Sequence, residues 1–103
     1  MNLKNHFELL ATYNQWMNSK VYEAAAQLSA DELPKDRGAF FGSILGTLNH
    51  ILVGDTIWLK RFANHPSCKD SLREITTLDN PTSLNQILFG DIARLTEHRT
   101  WLD

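Results

Sequence analysis

Four histidines, one cysteine and a few acids set among apolar residues are the side chains of this 103-residue chain that could do chemistry. His50 leads them, because it lies in the apolar run from Phe40 to Phe62, where packing alone favours neither a histidine nor Asp55. At roughly 100° per residue, His50 falls about 160° round a helix from Leu52, on a stripe with Thr47, Gly54 and Ile57 that leaves room beside the imidazole. An imidazole facing such room is suited to ligate a divalent metal or to hydrogen-bond to another helix. One ligand makes no site, since a tightly held ion needs about three donors in fixed geometry. The chain contains no His-x-x-x-His, Glu-x-x-His or Cys-x-x-Cys to supply a pair from one helix face. Nucleophilic catalysis has no glycine-flanked serine elbow and no base placed for Cys68, which reads as a loop bystander. Gly42-Ser43-Ile44-Leu45-Gly46-Thr47 lacks the lysine of a phosphate loop and follows no strand. His6, near a terminus, and His65, in a His65-Pro66 helix stop, are weaker candidates.

The elements that must position these residues are helices. Phe7, Leu10, Asn14, Met17, Val21, Ala24 and Leu28 step by three and four, predicting a first helix from about Leu3 to Leu28. Ser29-Ala30-Asp31-Glu32 has the form of a capping box opening a short turn bounded by Pro34 and Gly38. A second helix is expected from about Phe41 to Asn64, stopped by Pro66. Residues 67–81 read as a loop over the core, with one packed turn from Leu72, Ile75 and Leu78. Ser83-Leu84-Asn85-Gln86 is a second capping-box pattern, predicting a third helix from near Ser83 through Leu84, Leu88, Asp91, Leu95, His98 and Leu102.

Four polar residues then fall on apolar seams: Asn14, Asp55, Asp91 and His98. Left unpaired inside, each costs a few kcal/mol, so each must find a partner, water or a metal, or sit at the bundle edge. Asp55 is expected to be structural, partnered across the first and second helices. Asp91 and His98 share a face but are separated by roughly 10 Å along the axis, which excludes a direct dyad.

The totals narrow the class. A length of 103 residues supports one domain, residues 1–103, with no room for a second. Ten basic and twelve acidic residues, interspersed and summing to a net charge of −2, form no broad basic face for nucleic acid. One cysteine closes no internal disulfide, and no membrane-length apolar stretch is present, so the expectation is a cytoplasmic protein.

Tyr13-Asn14-Gln15-Trp16-Met17-Asn18, followed by Phe40-Phe41-Gly42-Ser43-Ile44 and Gly46-Thr47-Leu48-Asn49-His50-Ile51-Leu52-Val53-Gly54-Asp55-Thr56-Ile57-Trp58-Leu59, resembles the DinB family of bacterial damage-inducible proteins. The resemblance covers nearly the whole chain. It implies an all-α, up-down-down-up four-helix bundle in which three histidines bind nickel or zinc, and it implies a thiol-dependent transferase or isomerase activity for some members. Carried over by position, His50 matches the helix-two metal ligand, while Asn14, Trp16, Asp55 and Trp58 match mainly structural positions. The other two ligands belong to a His-x-x-x-His on a later helix, and the sequence stops before it. The resemblance therefore implies a bundle truncated to about three main helices, a C-terminal part that is missing, and absent or weak metal binding. His98 does not match a family ligand position.

Three functional readings follow. One is a DinB-like protein of unknown substrate whose metal site is incomplete. Another is a helical interaction module acting as a homodimer, with the third helix, through Leu95, Trp101 and Leu102, at the contact. The last is a metal site completed between chains by His50 and His98.

Overall fold

The computed structural model describes residues 2–103. Its elements are α1 (Leu3–Ala25), α2 (Ile44–Phe62), a 3-10 turn (Arg73–Thr77) and α3 (Ile92–Leu102), with no strand among the described residues. The fold is all-α.

Asn2 caps α1, its side chain accepting from the Asn5 amide at 2.8 Å. The helix stops at Ala25, short of Leu28, because the amides of Gln27 and Leu28 donate only three residues back, to Ala24 and Ala25. Ser29 and Glu32 do pair as a capping box would: Ser29 Oγ accepts from the Glu32 amide at 3.2 Å and donates to its carboxylate at 3.3 Å. They close an isolated turn, from which Leu33 is pressed into the core. Gly42, at φ +81°, then lets the chain reverse so that the Arg37 amide reaches the Gly42 carbonyl at 2.8 Å.

Ser43 caps α2 by accepting from the Gly46 amide at 2.9 Å, leaving Phe41 outside the helix rather than at its start. The helix ends at Phe62, ahead of His65-Pro66 as expected. The 3-10 turn buries Ile75 and packs on α2, which realises the packed turn read from Leu72, Ile75 and Leu78.

The third helix departs from expectation. Residues 83–90 are not helical, and α3 opens at Ile92. The capping box at Ser83 does not form; instead Gln86 Oε1 accepts from the amide and hydroxyl of Thr82, at 2.7 and 3.1 Å, closing a turn. Asp91 is the true cap, accepting from the Arg94 amide at 2.8 Å, and so leaves the apolar seam on which periodicity placed it. Gly90, just before that cap, is a poor helix former and marks the real boundary.

Both long helices pack against α3. The core joins Tyr22 and Ala25 of α1, Leu33 of the turn that follows it, Leu45, Leu48 and Leu52 of α2, and Leu95 of α3. Only the C-terminal end of α1 enters it: from Leu3 to Val21 every residue except half-buried Asn18 is exposed, Asn14 included.

Candidate functional site

His50 lies on the side of α2 facing residues 83–90. Its Nδ1 is 2.8 Å from the Leu84 carbonyl, and its ring stacks on Phe41 with centroids 3.7 Å apart and planes inclined by 17°. A carbonyl oxygen can only accept, so Nδ1 carries the proton, and in the neutral ring the lone pair is on Nε2. The ring is thus held in one orientation with one nitrogen free to coordinate, the usual arrangement of a ligating imidazole. The room predicted beside it is taken on one side by Phe41. Gly46 makes that approach feasible, because a Cβ there would strike the Phe41 carbonyl.

The donor set stops at one. Among the described residues no three His, Cys, Asp or Glu side chains gather where they could hold an ion. His98 sits between the rings of Phe89 and Trp101, with centroids at 5.2 and 5.6 Å; burial, and then the Arg99 charge, lowers its pKa from the ordinary 6.5. His6 lies edge-on to Phe7, and His65 Nδ1 accepts from the Ser67 amide at 3.1 Å. Cys68 is half-buried in the following loop. The residues present fit one coordination position of a divalent ion and not three.

Asp55 has a partner that sequence reasoning missed. Arg99 Nη1 donates to Asp55 at 2.6 Å and Nη2 to Asp103 at 2.8 Å, while Asn18 Nδ2 donates to Asp103 at 3.2 Å. The Asp55 contact therefore runs from α2 to α3, not from α2 to α1. The guanidinium is only 6% exposed, Asp103 is 7% and Asp55 is 40%. Burial opposes the charge on Arg99, but the two carboxylates outweigh it and hold its pKa above the ordinary value. Burial also raises the Tyr22 pKa, with Arg99 pulling the other way. The cluster joins all three helices, and a cavity of about 300 Å³ opens beside Tyr22 and Arg99. With its charge answered by two acids, the guanidinium has a clamping role. The available signal was spacing: Arg99 falls four residues after Leu95, on the inward face, where a long basic side chain can meet an acid on another helix.

Asn49 was the other residue missed. Fully buried on α2, it accepts from the amides of Leu88 and Phe89 at 2.7 and 3.1 Å and donates to the carbonyls of Phe89 and Leu45 at 3.1 and 2.9 Å. It fastens the non-helical segment that presents Leu84 to His50.

A helical bundle with one oriented imidazole beside an asparagine-anchored loop is the class these features define. The DinB family model matches residues 1–102, and the chain belongs to the DinB family. Nothing matches among curated proteins or solved structures.

Proposed function

We propose that this chain is a DinB-family scaffold that offers a single preoriented ligand, His50, and does not by itself hold a divalent ion tightly. The observation that carries the reading is the contact of Nδ1 with the Leu84 carbonyl, which leaves Nε2 as a lone donor. A single imidazole does not supply the chelation on which tight zinc or nickel binding depends. The reading keeps the cytoplasmic placement expected of a chain with one cysteine.

Zinc and nickel titration by calorimetry, with elemental analysis of tag-free protein, tests it. The expected result is no near-stoichiometric ion at micromolar affinity. Near-stoichiometric binding at micromolar or better affinity, abolished by His50→Ala, refutes it and favours a site shared between chains. Nitrogen chemical shifts of His50 check the tautomer independently: a protonated Nδ1 is expected.

The exposed α1 face favours a second reading, in which the chain acts through self-assembly. Of the third-helix residues read as the contact, Trp101 is 45% exposed. Leu95 is wholly buried within its own chain and Leu102 packs on the same core, so α3 does not offer them to another molecule.

A further inference from the structure

Residues 83–90 carry a helix pattern that the fold leaves unused. Leu84, Leu88, Asp91 and Leu95 step by four, three and four, and Ser83 and Gln86 stand where a capping box would place them. Leu84 and Ile87 are instead 61 and 51% exposed, and the segment makes one backbone hydrogen bond to itself, from the Gln86 amide to the Ser83 carbonyl at 3.3 Å. What holds it is α2. The Leu88 amide donates to Asn49 Oδ1 at 2.7 Å, and the Leu84 carbonyl accepts from His50 Nδ1 at 2.8 Å. These two backbone groups are four residues apart, so in a helix they would bond to each other.

We propose that residues 83–90 are a switch that winds onto the N-terminus of α3 and in doing so releases His50. The inference rests on the reading of His50 as a preoriented ligand and names what regulates it. Winding turns the Leu88 amide from Asn49 to the Leu84 carbonyl and takes from Nδ1 the acceptor that fixes the ring. Lengthening an existing helix needs no new nucleus, and Leu84 joins the line of Leu88 and Leu95. Two features keep the unwound form in the majority. Buried Asn49 would lose three of its four hydrogen bonds, and Gly90 is a poor helix residue at the junction. The unwound form does not itself require Gly90, whose φ is not positive and where an added Cβ meets nothing within 4 Å. A ligand on Nε2 selects the ring that Leu84 holds, so it favours the unwound segment, and winding weakens its binding by the same factor.

Relaxation-dispersion NMR of the full chain, beside Gly90→Ala and Ile87→Pro, reads the minor state. Residues 83–90 are expected to exchange with a state whose carbon shifts are helical, populated about fivefold more in Gly90→Ala by the difference in helix propensity. The His50 ring nitrogens should exchange at the same rate, and Ile87→Pro, which cannot continue a helix, should abolish the process. No exchange in Gly90→Ala, a minor state with coil shifts, or exchange that persists in Ile87→Pro overturns the switch and leaves His50 as a preoriented ligand. Helical exchange to which His50 is silent, or which it follows at another rate, overturns the release. A major state with the His50 proton on Nε2 overturns the ligand reading itself, and the release with it.

Discussion

Replacing Asn49 by alanine removes the side chain that fastens residues 88 and 89 to α2. Four hydrogen bonds go with it. One of them matters little, because the Leu45 carbonyl stays within the α2 ladder. The other three leave the amides of Leu88 and Phe89 and the Phe89 carbonyl without these partners. A lost bond of this kind is worth about 1 kcal/mol net, and about 1–3 kcal/mol where the stranded group stays dry. Leu88 and Phe89 are half-buried, so water can reach part of the gap. The expected loss is therefore about 2–4 kcal/mol, a large share of the stability of a small domain. Urea denaturation followed by circular dichroism reads the loss, and amide exchange locates it: the Leu88 and Phe89 amides should exchange much faster in Asn49→Ala. Asn49→Asp keeps both acceptor contacts but brings a charge into a buried site, which raises its carboxyl pKa in the fold. Its deficit should shrink as pH falls through that raised value, because the folded state then takes up the proton first. A loss below about 1 kcal/mol with an unchanged denaturant slope, or unaltered exchange at Leu88 and Phe89, would show that Asn49 does not anchor this segment.

Three further outcomes are expected. Arg99→Met should cost about 3 kcal/mol, since it strands nearly buried Asp103, whereas Asp55→Leu should cost about 1–2 kcal/mol because Asp55 is 40% exposed and Arg99 keeps its other acid; the reverse order in denaturation midpoints at equal slope would refute the assignment. Gly46→Ala gains up to about 1 kcal/mol in helix propensity but must push back the Phe41 backbone at about 1–3 kcal/mol, so net destabilisation and a weakened ring-current shift on His50 are expected, and a stabilised variant would contradict the close approach. His98 has a lowered pKa in the fold, so its stabilising contribution is complete above the unfolded value near 6.5 and is lost as pH falls from there through the folded value; an NMR titration midpoint at or above 6.5, or an acid-side slope unchanged in His98→Gln, would count against its burial.

Much of this protein is legible in its one-dimensional pattern. Apolar steps of three and four are a local property of a helix, so α1 and α2 could be located from Leu10, Met17, Leu48 and Leu52 without knowing what they face. Pro66 ends α2 for reasons carried in its own ring. The motif around His50 placed the chain in its family and marked an imidazole that the fold orients by a hydrogen bond and a stacked ring.

What needed the tertiary structure was every choice between local signals of similar strength. Two cap patterns compete before α3, Ser83 with Gln86 and Asp91 before Ile92, and Asn49 decides between them by taking the amides of Leu88 and Phe89 for its own side chain. Periodicity could place Asp55 on an inward line but could not name its partner, because Arg99 is distant in sequence and reaches it only when α3 packs on α2. Periodicity also draws the stripe of α1 as though it were core. Whether such a stripe is buried depends on which elements cover it: α3 and the loop at Leu33 cover only the end at Tyr22 and Ala25, and among the described residues the rest of the stripe is exposed.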